Sequence, residues 1–274
     1  LRGGVEALRR AGVPEPAADA RRLMAHALGV PPHRLTLSEP EPAGPVLADA
    51  FLPLVEARAR RQPVSQLIGA RLFWGREFLV TPDVLDPRPE TEVLVAEALA
   101  GPVARVLDLG TGSGCLLVTI LAERPEATGL GVDLSPAALA VAARNAWAHG
   151  VEGRAVLVAS DWFSGVEGRF DLIVANPPYV AAAEMAGLEP EVRLFEPRMA
   201  LTDEGDGLGA YRAILGGALG HLAPGGRLMV EVGPTQAEAV LALGGGAGLE
   251  PAGTRADLDG RARACLFRRP GHPT

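Results

Sequence analysis

The sequence predicts an α/β protein: a mostly parallel, doubly wound sheet, preceded by a small helical domain and joined to it by a β-hairpin. Three observations carry this prediction. From about Arg105 onward, short apolar strands alternate with helix-patterned segments. A glycine-rich turn follows directly on the first of those strands. Ahead of them, residues 1–69 show helical periodicity and little else.

In residues 1–69, Val5, Leu8 and Ala11 repeat at helical spacing, as do Leu23, Met24, Ala27 and Leu28, with Gly29 and Pro31-Pro32 as a stop signal. Val46, Leu47, Ala50, Phe51, Leu54 and Val55 form a further stretch, which Pro53 is expected to kink or split. Residues 1–68 hold nine arginines against seven acids, leaving a net charge of −9 on the remainder. With no glycine loop and no acid cluster, this part reads as a partner-recognition unit without chemistry of its own. In residues 70–86, Leu72, Phe73 and Trp74, then Phe78, Leu79 and Val80, bracket Gly75-Arg76, the pattern of a short hairpin suited to interdomain packing.

The third part, residues 87–274, carries the alternation. Strands are expected at Arg105–Leu109, Gly129–Leu134, Ala155–Ala159, Phe170–Ala175 and Arg227–Val232, with Ala262–Phe267 closing the sheet. Helices are expected from Cys115 to Leu121 and from Pro136 to Trp147. Ala223–Gly226 reads as a turn, and the run Gly244–Gly246 as a loop.

Composition narrows the function. The chain has 274 residues, 48% of them hydrophobic, which is too apolar for a disordered segment. No apolar run approaches the roughly 18–20 residues of a membrane span. Its start shows no basic-then-apolar signal pattern, and because it opens on Leu1 a few native residues are expected ahead of it. Two cysteines, Cys115 and Cys265, make no disulfide framework and fit a reducing cytoplasm. Net charge is −7, against a protein whose main task is gripping phosphate backbones. All 26 basic residues are arginine. His26, His33, His149, His221 and His272 are scattered, so no metal site is expected.

The glycine turn reads Asp108-Leu109-Gly110-Thr111-Gly112-Ser113-Gly114. A dinucleotide fingerprint fails in both registers, because its third glycine would be Cys115 or Leu117. A phosphate-binding P-loop fails for want of a lysine. The remaining pattern, D-x-G-x-G-x-G, resembles the first motif of class I S-adenosylmethionine-dependent methyltransferases, which have a Rossmann-like fold. That resemblance implies cofactor contacts from Gly110, Thr111, Gly112, Ser113 and Gly114. It implies ribose hydroxyls on Asp133, which lies 23 residues after Gly110. It also places Asp161 near the adenine amino group and Trp162 against the ring. The plainer alternative is that Asp133 caps the helix at Ser135-Pro136.

The fourth strand runs into Asn176-Pro177-Pro178-Tyr179. The tetrapeptide is either a rigid turn or the N-P-P-Y signature that it resembles, found in methyltransferases acting on planar NH2 groups. Such a nitrogen is a poor nucleophile because its lone pair is delocalised. The Asn176 carboxamide oxygen and the Pro177 carbonyl can each accept one N–H, fixing the nitrogen and aiming it for in-line displacement. Prolines stiffen the turn, and Tyr179 can pack on a flat substrate group.

Further blocks narrow the resemblance. Gln62–Gly69, Phe73–Phe78 and Pro87-Arg88-Pro89-Glu90-Thr91-Glu92 are similar to the linker of the peptide chain release factor N5-glutamine methyltransferase family; Asp161-Trp162-Phe163, Glu196-Pro197-Arg198 and Asp206-Gly207-Leu208 fit the same family. The R-P-E-T-E block discriminates most, since adenine and guanine methyltransferases share N-P-P-Y without it. The resemblance spans nearly the whole chain. It implies S-adenosyl-L-methionine as cofactor, bound by Gly110–Gly114, Asp133, Trp162 and Asn176. It implies bacterial class-one peptide chain release factors as partners, with the glutamine of their Gly-Gly-Gln loop held by Asn176, Pro177, Pro178 and Tyr179. No membrane and no direct nucleic-acid binding are expected. Amino methylation of DNA or ribosomal RNA (adenine N6 or guanine N2) is the rival activity, and a cofactor-binding protein without catalysis is a second.

Three features stay open at this level. Arg88, Glu90 and Glu92 either open a helix, with acids complementing its dipole, or line the site's mouth. Residues 184–196 read as a solvated acidic flap that folds over substrate. Cys115, at a helix N-terminus, is either a somewhat acidic thiol or a small buried residue.

Overall fold

The computed structural model describes residues 1–37, 44–257 and 259–271. His272, one of the five histidines weighed above, lies outside them, as do positions 38–43 of the helical domain and 258, 273 and 274 of the third part. The chain divides into two compact units, one of residues 1–70 with 188–195, the other of residues 71–187 with 196–274.

The smaller unit is helical: α1 (Arg2–Arg10), α2 (Pro16–Leu28), α3 (Pro45–Ala59) and α4 (Val64–Ile68). Leu8, Leu23, Met24, Phe51 and Val55 form its core. Gly29 ends α2 in the left-handed conformation that the stop signal anticipates. Pro53 does not split α3, which continues through it to Ala59. Both Pro53 and Asp49, whose carbonyl lacks the N–H it would accept from four residues further on, are exposed, so water can take the missing bond.

The larger unit opens with β1 (Ala70–Phe73) and β2 (Arg76–Leu79), a two-stranded hairpin. Trp74 and Gly75 both have positive φ (50° and 70°), the signature of a tight two-residue hairpin turn. Phe73 and Phe78 meet edge to face and are buried in this unit's own core, beside Leu94 and Leu117, instead of facing outward as interdomain packing. The rest runs α5 (Glu92–Leu99), β3 (Arg105–Leu109), α6 (Cys115–Glu123), β4 (Thr128–Asp133), α7 (Pro136–Ala148), β5 (Ala155–Ala159) and β6 (Phe170–Ala175). After α8 (Pro190–Phe195), which belongs to the smaller unit, come α9 (Gly209–His221), β7 (Leu222–Glu231), α10 (Ala237–Gly246), β8 (Glu250–Ala256) and β9 (Ala262–Arg268).

Seven strands form one sheet in the order β5-β4-β3-β6-β7-β9-β8. The first five are parallel; β9 and β8 complete the sheet antiparallel. Strand side chains alternate between two cores. Val106, Leu172, Val174 and Met229 face one layer with α5 and α6, and Leu107, Ile173, Leu228 and Val230 face the other with α9 and α10. The chain winds from β3 outward to β5, then returns to β6 on the other flank of β3. Ligands of such sheets bind where the winding reverses, outside the carboxyl ends of the strands. Among the described residues no helix is long and apolar enough to cross a membrane.

Two elements depart from the sequence reading. Gly244–Gly246 is the last turn of α10, not a loop: a Cβ at Gly244 would fall into the Phe267 ring, so glycine lets the helix seat on the sheet. Strand β8 carries no apolar alternation and is exposed throughout, as an edge strand containing Pro251 and Gly253. The anticipated turn at Ala223–Gly226 is an excursion within β7, between Leu222 paired with Phe170 and Arg227 paired with Leu172. Gly244→Ala is expected to destabilise the protein by about 1–3 kcal/mol through overpacking, although alanine is the better helix former by roughly 1 kcal/mol. Urea unfolding checks this; an unchanged midpoint would mean α10 shifts without cost.

Candidate active site

Every parallel strand delivers a candidate residue at its carboxyl end. β3 leads into the glycine loop, β4 ends in Asp133, β5 leads to Asp161 and Trp162, β6 to Asn176, and β7 ends in Glu231. Between them lies a cavity lined by Gly110–Ser113, Asp133, Asp161, Trp162, Asn176 and Pro178, among others.

The loop is built backbone first. Gly110 and Gly112 have φ of 70° and 55°, and a Cβ at Gly112 would meet only the Gly110 carbonyl, at 3.9 Å. The Gly112 N–H donates to Asp133 Oδ2 at 2.9 Å, and the Ser135 N–H to Asp133 Oδ1 at 2.9 Å. Asp133 therefore does not cap α7. Ser135 does, accepting the Ala138 N–H, while Asp133 holds the loop and keeps lone pairs on the cavity. Thr111 is buried and donates to Asp108 Oδ2 at 2.7 Å. Gly114 is not a lining residue; it caps α6, and a Cβ there would crowd Ala142 at 3.1 Å. Asp161 is exposed at the rim. Trp162 has a φ of 48°, rare for a bulky side chain, and its carbonyl accepts the Ser160 hydroxyl at 2.9 Å.

Asn176 lines the cavity with its carboxamide polarised by the protein. Its Nδ2 donates to Thr91 Oγ1 at 3.1 Å, while its Oδ1 is buried and accepts nothing. Pro177 is buried and Pro178 lines the cavity. Tyr179 does not line it: its hydroxyl reaches Glu231 Oε1 at 3.4 Å, its ring joins the second core, and its carbonyl accepts the Gln236 amide at 2.8 Å.

Three carboxylates here are strongly perturbed. Burial pushes Asp108, Glu231 and Glu196 up to about 7 each, against the hydrogen bonds that favour their ionised forms. Glu231, 1% exposed, accepts the Thr91 hydroxyl at 2.6 Å. Glu196 takes both its oxygens to Arg88 Nη2 at 2.7 Å. Sequence reasoning left Thr91, Asp108, Glu196 and Glu231 off the candidate site. The R-P-E-T-E and E-P-R blocks were the available signal for Thr91 and Glu196; Glu231 had none.

The open features separate. Arg88 lines the cavity, Glu90 is exposed, and Glu92 opens α5 and accepts the Trp74 N–H at 2.7 Å. Residues 184–196 are solvated only in part: Glu184, Ala186, Gly187, Glu189, Arg193 and Leu194 are exposed, but the segment is anchored. Met185 and Glu196 are buried, and Glu191 on α8 is ion-paired with Arg58 at 2.8 Å and Arg61 at 2.6 Å. Burial pushes the Cys115 thiol up to about 12, so it is not acidic. Among the described residues no group of three His, Cys, Asp or Glu side chains is placed to hold a metal ion.

A seven-stranded sheet of this order, with a glycine loop and an acid at successive strand ends, defines a class I methyltransferase fold. A methyltransferase from Pyrococcus furiosus shares it, at a TM-score of 0.57 over 78% of this chain and 98% of that one, with 19% identity. The model of the methyltransferase small domain matches residues 85–206, and that of the PrmC N-terminal domain matches residues 1–69. Relatives named release factor glutamine methyltransferase match nearly end to end: 58% identity to that of Cereibacter sphaeroides, over 98% of this chain and 97% of the relative, and 46% to that of Rhodospirillum rubrum, over 97% and 83%. The chain belongs to the release factor glutamine methyltransferase family.

The folded protein holds the Glu231 proton more tightly than the unfolded chain does. That contribution to stability is complete below about 4.5, the ordinary value, and is lost as pH rises through about 7. The Tm of Glu231→Gln relative to the wild type is therefore expected to climb by several degrees between about pH 5 and about pH 8. Parallel profiles in thermal melts would contradict a buried carboxylate.

Proposed function

We propose that this chain transfers a methyl group from S-adenosyl-L-methionine to the side-chain N5 of the glutamine in the Gly-Gly-Gln loop of bacterial class-one release factors, in the cytoplasm. Residues 1–69 serve as the helical substrate-recognition domain, 70–86 as the hairpin linker and 87–274 as the methyltransferase domain. The observation that carries the reading is the buried Asn176 Oδ1, left without a donor on a residue that lines the cavity. An acceptor left without a donor in a folded protein is costly, and a substrate NH2 is the group that would satisfy it. Family membership favours a protein amide over the rival substrates in DNA or ribosomal RNA.

The cavity fits the cofactor by charge. Asp108, Asp133 and Asp161 line it, Asp108 Oδ1 is buried without a partner, and the lining Arg88 is engaged by Glu196. This favours a cationic ligand over a phosphate-bearing one. Gly110, Thr111, Gly112 and Ser113 would form its cradle, with Gly114 starting the helix behind it, Asp133 would take the ribose hydroxyls, and Asp161 and Trp162 the adenine. When bound, S-adenosylmethionine supplies an electrophilic methyl group on a sulfonium centre.

The protein's part is positioning. Asn176 Oδ1 and the Pro177 carbonyl each accept one N–H of the glutamine amide, holding the nitrogen so that its lone pair faces the methyl donor. Pro178 walls the substrate and Tyr179 holds the turn from behind. No strong base is needed before attack, because the alkylated nitrogen sheds its proton readily.

Labelled methyl is expected on a purified class-one release factor and not on its Gly-Gly-Ala variant. Equal labelling of both would place the acceptor elsewhere. Asn176→Ala should lower kcat on the order of 10²–10³-fold, the effect of removing one positioned hydrogen-bonding group. Asp133→Ala should instead weaken cofactor binding in calorimetry; an unchanged Kd would take Asp133 off the ribose.

A further inference from the structure

Asparagine presents two chemically opposite ends of nearly equal shape, and only one of them serves a substrate N–H. What fixes the choice at Asn176 is a relay behind it. Thr91, 1% exposed, closes the short turn Pro89–Thr91 ahead of α5. Its hydroxyl has a single proton, which goes to Glu231 Oε2 at 2.6 Å when that carboxylate is ionised. Lone pairs are all that remains on the side facing Asn176, where Nδ2 donates to Oγ1 at 3.1 Å. A flipped carboxamide would set Oδ1 against those lone pairs and turn its NH2 toward the substrate.

Backbone register brings the relay together. Ala175 on β6 pairs with Val230 on β7, so Asn176 and Glu231 leave adjacent strands side by side. The second Glu231 oxygen lies 3.4 Å from the Tyr179 hydroxyl, so one carboxylate addresses both ends of the tetrapeptide. Arg263 is the cation that favours its charge and Glu90 the acid that opposes it.

We propose that Thr91 and Glu231 are positioning residues that lock the Asn176 carboxamide with its oxygen toward the acceptor amide. The inference rests on the methyltransfer reading given above, and it has a readout independent of activity. The chain contains only two asparagines, Asn145 and Asn176. Protein labelled with 15N-asparagine therefore gives two side-chain NH2 signals. Asn145, which donates to Leu79 O and Ser113 O, serves as the internal reference.

In Thr91→Val, which keeps the shape and removes the hydroxyl, the Asn176 NH2 protons should exchange with solvent roughly tenfold faster or more, with Asn145 unmoved. Methyl transfer to the release factor should fall in kcat by a comparable factor, with the calorimetric Kd for S-adenosylmethionine unchanged. Thr91→Ser should restore both exchange and turnover. Glu231→Gln, which can face Thr91 with either a donor or an acceptor, should fall between. Unaltered exchange in Thr91→Val overturns the lock whatever the activity. Faster exchange with unaltered kcat overturns its role in turnover. A wild type that labels no release factor fails the functional reading instead, and leaves the exchange result standing on its own.

Discussion

Parallel pairing in a fixed register is the constraint on which the site depends. Strands that run the same way end at the same edge, so five consecutive parallel strands place five chain segments in one row. The register decides which residue of each segment arrives there. Leu109 pairs with Val132 and Ala175, so Gly110, Asp133 and Asn176 emerge together although they are far apart in sequence. Slipping any one pair by a single residue would turn its side chains to the opposite face. The two cores on either side of the sheet prevent that slip, because each takes alternate residues of β3, β6 and β7. Packing, in this sense, sets the geometry of the candidate site.

The same edge concentrates buried acid. Asp108, Glu196 and Glu231 are each removed from water, and burial raises all three. A fold selected for stability alone would replace such groups by apolar ones, since a buried charge costs more than most partners return. Each instead organises a segment of the candidate site. Asp108 takes the Thr111 hydroxyl and fixes the glycine loop, Glu196 holds Arg88 at the cavity, and Glu231 addresses Thr91 and Tyr179. The cost is local and the return is orientation.

Local signals in the sequence read correctly wherever the partner of a residue is its neighbour. The strand-to-helix turn at Gly110–Gly114 and the stop at Gly29 were legible, because backbone conformation there is set by adjacent residues; the short hairpin was legible too, although its turn falls at Trp74-Gly75, one residue before the Gly75-Arg76 expected. The run Gly244–Gly246 was misread because its reason is Phe267, on a strand more than twenty positions away. Strand β8 escaped notice because an exposed edge strand needs no apolar alternation. Residues 184–196 looked like a solvated flap because Glu191 finds Arg58 and Arg61 some 130 residues earlier.

The candidate site divides along the same line. Groups that would touch ligand directly sit in compact motifs and could be named from them, whereas groups that orient those side chains come from wherever the sheet brings a suitable atom. Thr91 and Glu231 are 140 residues apart and carry ordinary side chains. Their chemistry lies in which one of them owns the proton. With Glu231 ionised, a hydroxyl between a carboxylate and a carboxamide has one stable direction, with the proton toward the negative charge. That direction passes through Thr91 and leaves Asn176 only one low-energy orientation. The acceptor on the cavity is thus a property of three residues from three segments, and no one of them could have been assigned its part by motif alone.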